Sequence, residues 1–418
     1  MLKISRTRRL GLAGATLAAA GAIVLAGCAA TSPGGSTATT APDPSDAAAG
    51  TCGSVPDLGA NDPNGLLAGF SDDVVEGFNG YPFEVRESAW TDFASEKDGG
   101  YTAAIVGMPP ASPFIATLTD SLRTNLKGAD VEIVADLAPD DPSNVPLQLQ
   151  QFNEALALKP DIIFYMAIAP EPAVDLATAA GEAGIPVVAV QVPIDSEYAV
   201  TVTGNPVLQQ METSAGVLAS IGGKGSILRV AGIPGIPNET WAQEGVEHVL
   251  DLCPDVNLAG EVTGLFQPPT AQSAVLQFLA TNPAGVDAVL QSGTMGLGIL
   301  NAFEESGLPV PPINENGGSR GFGAWALNNP DYPYFGTSTP AVETGEVAVQ
   351  VGLRILAGAG PKVNHIVNGN PLITQENLAD YVSASGDQTD FTDLAPLEGE
   401  FLPADQLDQY FTDPSAGS

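Results

Sequence analysis

The feature that most constrains the fold is a regular alternation of short apolar runs with longer amphipathic segments between residues 101 and 191. The runs have the length of buried strands, and the segments between them have helical spacing. Such alternation predicts an α/β fold in which a mostly parallel sheet carries helices on both faces. The predicted strands are 102–107, 131–136, 161–167 and 186–191, and the predicted helices are 114–126, 145–158 and 172–183.

A second series of the same kind follows Gly204. The stretch from Asp161 to Val187 is echoed by the stretch from Asp287 to Val310, which predicts two similar three-layer lobes. A chain of 418 residues also exceeds the ~250–300 residues at which one hydrophobic core stops growing. The predicted strands of the second series are 226–231, 257–263, 286–291 and 309–314, and its predicted helices are 206–221, 240–250, 270–280 and 295–306.

The amino-terminal residues predict export. Four basic residues precede an uncharged stretch rich in Ala, Leu and Gly, which is the layout of a signal peptide over residues 1–27. The apolar stretch is shorter than the ~20 residues that a membrane-spanning helix needs. It ends in Leu25-Ala26-Gly27-Cys28, which resembles the bacterial lipobox. The resemblance implies that Cys28 is lipidated and anchors the exported protein on the extracytoplasmic side of the membrane.

Composition assigns the flanking segments. Residues 28–51 are mostly Ala, Thr, Ser, Gly, Pro and Asp, which predicts a flexible tether. Residues 383–418 are similarly small and acidic, and predict an acidic C-terminal tail with scattered Leu and Phe side chains for docking. Without residues 1–27 the chain has 10 basic and 49 acidic residues and a charge of −39. That charge argues against a nucleic-acid partner.

The cysteines and histidines indicate neither a disulfide-rich scaffold nor a metal site. There are three cysteines and two histidines, so the sequence predicts no metal and no cofactor. If Cys28 is lipidated, Cys52 and Cys253 remain. They either form a disulfide, as leftover pairs in exported proteins often do, or stay as thiols, and the sequence leaves both alternatives open.

Several motifs occur in the order found in one known family. They are Ser112-Pro113-Phe114 after the first strand, Lys159-Pro160-Asp161-Ile162-Ile163 and Gly184-Ile185-Pro186-Val187-Val188 at two later strands, and Gly222-Gly223-Lys224-Gly225-Ser226 where the second lobe's first strand begins. Together they resemble the type I periplasmic binding proteins of the ribose and galactose kind over roughly residues 101–373.

The resemblance implies two lobes joined by a three-stranded hinge, with crossovers near Gly204, Thr339 and Asn368. Residues 101–203 with about 340–367 then form the first lobe, and 204–339 with about 368–382 form the second. Residues 52–100 lie outside the family's core, and we expect this N-terminal extension to pack on one lobe.

The resemblance also implies that a small sugar-like molecule binds between the lobes, where open α/β sheets bind ligands. Stacking faces and hydrogen-bonding groups should converge there. The family's charged contacts are replaced by neutral residues, which predicts a neutral ligand with an apolar face, such as a modified sugar, a glycoside or a nucleoside, ahead of a free hexose. The candidate residues are Phe114, Trp241 and Phe266 for stacking, and Ser112, Gln191, Ser292, Asn316 and Thr339 for hydrogen bonding. For Phe114 and Trp241 the alternative is packing in the hydrophobic core.

The resulting prediction is a monomeric solute-binding lipoprotein that delivers its ligand to the membrane permease of an ABC importer. The alternative is a receptor subunit that docks on a membrane sensor kinase or chemoreceptor. Catalysis is not predicted, because residues 222–225 lack the spacing of a phosphate loop. His248 and His365 also accompany no recognisable nucleophile motif.

Overall fold

The computed structural model describes residues 51–97, 99–110, 113–141 and 143–413. The predicted signal peptide, Cys28 and Ser112 lie outside these ranges. Within them, no helix combines the length and the apolar character that crossing a membrane requires.

Parallel pairing dominates the sheets, because among the strand pairs of the described residues only β10 and β12 run antiparallel. The strands are β1 (Thr102–Val106), β2 (Glu132–Leu137), β3 (Ile162–Tyr165), β4 (Val187–Val190), β5 (Ala199–Gly204), β6 (Lys224–Ala231), β7 (Asp255–Thr263), β8 (Ala288–Gln291), β9 (Asn314–Glu315), β10 (Phe335–Gly336), β11 (His365–Asn368) and β12 (Ile373–Thr374).

Proline begins five of the helices. At the first helical position its missing N–H lacks an intrahelical partner in any case, so proline starts a helix without weakening it. The helices are α1 (Asp72–Glu76), α2 (Pro113–Gly128), α3 (Val145–Ala157), α4 (Pro170–Glu182), α5 (Pro206–Ser220), α6 (Pro237–Leu250), α7 (Pro268–Thr281), α8 (Gly296–Ser306), α9 (Arg320–Asn328), α10 (Ala341–Leu356), α11 (Leu378–Tyr381) and α12 (Ala404–Leu407).

The first lobe is a three-layer sandwich around a six-stranded sheet in the order β11-β5-β4-β3-β1-β2. Successive side chains of a strand point to opposite faces. Ile105 and Phe164 therefore pack with α2 and α10, while Val106 and Ile163 pack with α3 and α4. The predicted α/β layering is confirmed.

The second lobe has the same layering but a less regular sheet. Two three-stranded sheets, β7-β6-β8 and β12-β10-β9, are linked by a single parallel bridge between Val289 and Ile313. The predicted strand at 309–314 shrinks to the two residues of β9. Pro309, Pro311 and Pro312 explain the loss, because proline has no N–H to donate to a neighbouring strand.

The chain passes between the two lobes three times. It crosses between β5 and α5, between β10 and α10, and between β11 and β12. At the first crossing the Asn205 side chain caps α5 by accepting a hydrogen bond from the Leu208 N–H at 3.1 Å. Its amide also donates to the backbone oxygens of Gly77 and Asn79 in the N-terminal extension. The extension therefore holds this crossing directly.

The N-terminal extension packs on both lobes, and not on one as expected from the sequence. Val74, Phe78 and Trp90 are buried in the core of the first lobe. At its other end the structure joins Cys52 by a disulfide to Cys253, which follows α6 in the second lobe, with the two Cα atoms 4.6 Å apart. Apolar residues occur along the whole segment, and each is more stable when buried than when exposed to water. The segment therefore follows apolar surface across the hinge and onto both lobes.

The predicted C-terminal tail is a packed segment in its described part, residues 383–413, which we call the C-terminal strap. It starts on the second lobe, where Arg320 N–H donates to the backbone oxygen of Thr392 at 2.8 Å. It ends on the first lobe, where Leu407, Tyr410 and Phe411 are buried. Leu407 and Phe411 are two of the apolar side chains expected to dock, and their burial agrees with that expectation.

The disulfide should contribute strongly to stability, because it closes a loop with a sequence separation of 201 residues. We expect the double variant Cys52→Ala with Cys253→Ala to lose about 2–5 kcal/mol in the free energy of unfolding. Guanidinium unfolding of parent and variant measures the loss. Reductant should destabilise the parent and leave the variant unchanged; identical unfolding midpoints without reductant would contradict the bond.

Candidate functional site

A cavity of about 190 Å³ lies between the lobes. Its walls come from loops and helix ends that follow the carboxyl ends of strands in both lobes, the place where open α/β sheets bind ligands. Its main contributors are Phe114, Gln191 and Thr203 from the first lobe and Asn238, Trp241, Phe266, Ser292, Thr294 and Asn316 from the second.

The structure brings seven of the eight candidate residues to this one cavity. The eighth, Ser112, lies outside the described residues. Placement around the cavity is a matter of geometry, whereas the role of each side chain in binding stays a prediction. The seven are Phe114, Gln191, Trp241, Phe266, Ser292, Asn316 and Thr339.

The three aromatic side chains present apolar surface to the cavity. Phe114 and Phe266 are half-buried, and Trp241 is buried with 8% of its surface exposed. The Phe266 ring lies directly on Gly232, where a Cβ atom would come within 2.1 Å of the ring. Only glycine at position 232 leaves room for this ring, so the close approach fixes the position of the Phe266 ring in the cavity wall.

Strained backbone concentrates at the cavity. Of the eight non-glycine residues in the described ranges that have a left-handed φ, four line the cavity: Gln191, Phe266, Thr294 and Asn370. Such conformations cost about 1–3 kcal/mol each and persist only where the surrounding structure enforces them. The fold therefore holds these side chains in directions that a relaxed loop would not adopt.

A network of side-chain amides fixes the polar part of the lining. The Asn316 amide donates to Gln210 Oε1 at 2.7 Å and to the Ser292 backbone oxygen at 3.3 Å. At the hinge, Asn370 donates to Gln209 Oε1 at 3.2 Å and accepts a hydrogen bond from Asn368 at 2.8 Å. The first set lies within the second lobe, whereas the second set joins the third hinge crossing to the start of α5.

A buried ion pair lies next to the cavity and supports it. Arg229 on β6 pairs with Glu239 at 2.6 Å and with Glu261 at 3.0 Å, and its Nη2 also donates to the Ser292 Oγ at 3.4 Å. Glu239 in turn accepts a hydrogen bond from the Gly232 N–H at 2.6 Å. The pair thereby ties α6 to the strand ends that carry Ser292 and Gly232.

Charge is kept out of the lining itself. Glu315 is fully buried beside Asn316, and burial raises its pKa to about 8, so this carboxyl is mostly protonated at neutral pH. None of the described residues that line the cavity has a charged side chain. Across the described ranges, no group of three or more His, Cys, Asp or Glu residues is arranged to hold a metal ion.

Several lining residues were missed by the sequence analysis. Asn238 precedes Trp241 by three residues on one helix and so shares its face, and Thr294 follows Ser292 in the same loop. Local spacing was therefore enough to find these two. Gln209 and Asn370 are 161 residues apart and meet only through the hinge, so no local pattern indicates them.

The two carboxylates that pair with Arg229 offer a matched test of the buried support. The Glu239 side chain is 7% exposed and the Glu261 side chain is 50% exposed. We expect Glu239→Gln to lower the free energy of unfolding by about 3 kcal/mol, because it leaves a buried cation with weakened compensation. Glu261→Gln should cost less than about 1 kcal/mol. Urea unfolding measures both, and equal losses would contradict the assignment.

Comparison with known proteins identifies relatives of this chain. A family model described as a periplasmic binding protein domain matches residues 104–360. A xylitol-binding protein from Mycolicibacterium smegmatis is 25% identical over 274 residues, which cover 64% of this chain and 75% of that protein.

Solved structures share the fold. An ABC transporter solute binding protein from Thermobispora bispora has a TM-score of 0.59 and 23% identity, with 72% of this chain and 92% of that chain covered. A Bacillus halodurans solute binding protein with bound myo-inositol has a TM-score of 0.57 and 18% identity, with coverage of 69% and 99%. The N-terminal extension and the C-terminal strap lie outside the residues that the family model matches.

Proposed function

Because this chain belongs to the family of periplasmic binding protein domains, we propose that it is the solute-binding subunit of an ABC importer. Its ligand is a small neutral polyol or sugar-like molecule, held in the cavity between the lobes. The observation that carries the proposal is the lining of the cavity. It combines three aromatic side chains with neutral polar groups, and its described residues include no charged side chain.

The lining suits a molecule that presents hydroxyls and an apolar face. Amide and hydroxyl side chains both donate and accept hydrogen bonds, as a polyol requires. A charged ligand would be enclosed without a counter-charge, which costs several kcal/mol. The xylitol-binding protein and the structure with myo-inositol both concern neutral polyols.

The proposed partner is the membrane permease of the importer, with which a lipid-anchored monomer would exchange its ligand. Lipid on Cys28 would hold the body close to that partner. If they form the expected flexible tether, the 22 residues from 29 to 50 would span about 25 Å. The cavity lining offers no charged acid or base among its described residues, so we expect the ligand to leave chemically unchanged.

Binding is tested by calorimetric titration and thermal shift with xylitol, myo-inositol, a methyl glycoside, a nucleoside, ribose, glucose and the charged analogue glucuronate. A neutral ligand at 100 times its Kd should add about 2.7 kcal/mol to the stability of the folded state. We expect glucuronate not to bind. Phe114→Ala, Trp241→Ala and Phe266→Ala should each weaken binding about tenfold by removing a stacking face.

Phe278→Ala is the matched control, because Phe278 is a partly buried aromatic residue in the core of the second lobe that does not line the cavity. Its affinity for the ligand should equal that of the parent. Tight binding of glucose or ribose that all three cavity variants retain would show that the ligand class and the site are both wrong.

The lipid anchor is tested separately by Cys28→Ala. Without a thiol to lipidate, the protein should move from the membrane fraction to the soluble extracytoplasmic fraction, as measured by fractionation and immunoblotting. The double variant Cys52→Ala with Cys253→Ala is the control and should stay on the membrane. Membrane attachment that survives Cys28→Ala would contradict the anchor.

A further inference from the structure

Phe83 of the N-terminal extension lies against the outer side of the cavity wall. Its ring centroid is 5.6 Å from that of Trp241, and the two planes meet at 77°, an edge-to-face contact. The same ring lies 5.8 Å from the His365 ring on β11 and 5.5 Å from the Tyr81 ring. One aromatic side chain thus connects the hinge strand β11 with a residue that lines the cavity from α6.

The backbone around Phe83 is firmly held. Asn61 accepts a hydrogen bond from the Val85 N–H at 2.8 Å through its backbone oxygen, and its side-chain amide donates to the Pro82 backbone oxygen at 3.2 Å. The Tyr81 hydroxyl lies 3.2 Å from His365 Nδ1. Burial lowers the pKa of His365 to about 3, so this imidazole is neutral under ordinary conditions and the stack carries no charge.

Trp241 depends on its neighbours for its orientation. It lies in the first turns of α6, where the helix fixes the Cα–Cβ direction but leaves the choice of rotamer to packing. The Trp241 indole lines the cavity on one side, and the Phe83 ring is among the groups that pack against the rest of the indole. Removing that ring would leave a void into which the indole can turn, away from the cavity.

We propose that Phe83 is a positioning residue for solute binding. It holds the Trp241 indole against the cavity, so that a segment outside the family domain at 104–360 sets the affinity of the site. The inference rests on the proposed function, because it assigns the bound solute to this cavity.

The chain contains a closely matched control. Phe93 is also a partly buried ring of the N-terminal extension, and it makes an edge-to-face contact with a tryptophan, Trp90, at 5.4 Å and 83°. Trp90 does not line the cavity. Phe83→Ala and Phe93→Ala therefore each remove an edge-to-face contact with a tryptophan, and only the tryptophan next to Phe83 lines the cavity.

The experiment has two readouts on the full chain. The first is the Kd for xylitol and for myo-inositol, measured by calorimetry. The second needs no solute: fluorine NMR of protein labelled with 5-fluorotryptophan, in which the three tryptophans give three signals. Trp241→Phe identifies the signal of Trp241 by removing it.

We expect Phe83→Ala to weaken solute binding about tenfold and to shift the Trp241 signal, since an aromatic contact of this kind is worth up to about one order of magnitude. Phe83→Tyr, which keeps the ring, should restore both values. Phe93→Ala should shift the Trp90 signal and leave the Kd within about twofold of the parent.

Equal losses of affinity in Phe83→Ala and Phe93→Ala would reduce the effect to general destabilisation and overturn the proposal. An unmoved Trp241 signal in Phe83→Ala would overturn it as well, whether or not any solute binds. If the parent binds none of the neutral solutes, the proposed function fails, while a Trp241 signal that Phe83→Ala leaves unmoved still overturns the contact on which the positioning role rests.

Discussion

Burial of a parallel sheet on both faces is the constraint on which the rest of this structure depends. Such a sheet carries apolar side chains on either side, so it persists only when both faces are covered. In the first lobe α3 and α4 cover one face, and α2 and α10 cover the other. The extension and the strap enlarge that second covering with Phe78, Trp90 and Tyr410. With the sheet held in this way, the loops at the ends of its strands start from fixed positions.

The cavity is a consequence of that rigidity. A loop that begins and ends on a buried strand cannot relax freely, so it can hold residues such as Gln191 and Phe266 in left-handed conformations. Amide pairs then fix the polar side chains, and the ion pair of Arg229 and Glu239 holds the start of α6. The result is a neutral lining beside a charged support. The neutral polar lining of the cavity is thereby separated from the electrostatics that stabilise its wall.

The hydrophobic periodicity was sufficient to predict the layers of helices and sheet, because strands that are buried on both faces appear in the sequence as continuous apolar runs. The alternating Val and Thr residues of β5 carried the same signal and were not recognised. Three prolines shortened the strand expected before Asn314. The order of the family's motifs identified seven candidate residues that the structure places around one cavity. The course of the extension and the strap could not be predicted from the sequence, because their contacts join residues more than a hundred positions apart, as Asn205 and Gly77 show.

The N-terminal extension and the C-terminal strap meet on the first lobe. The Ser71 N–H donates to the side chain of Gln409 at 2.8 Å, across a separation of 338 residues. The rings of Phe70 and Tyr410 also pack against each other in a tilted arrangement, with centroids 5.1 Å apart. Contacts this distant in sequence form late, because the entropy of closing a long loop must be overcome first. Synthesis from the amino end therefore leaves the core of the first lobe incomplete until strap residues such as Tyr410 and Phe411, which are buried in it, are made.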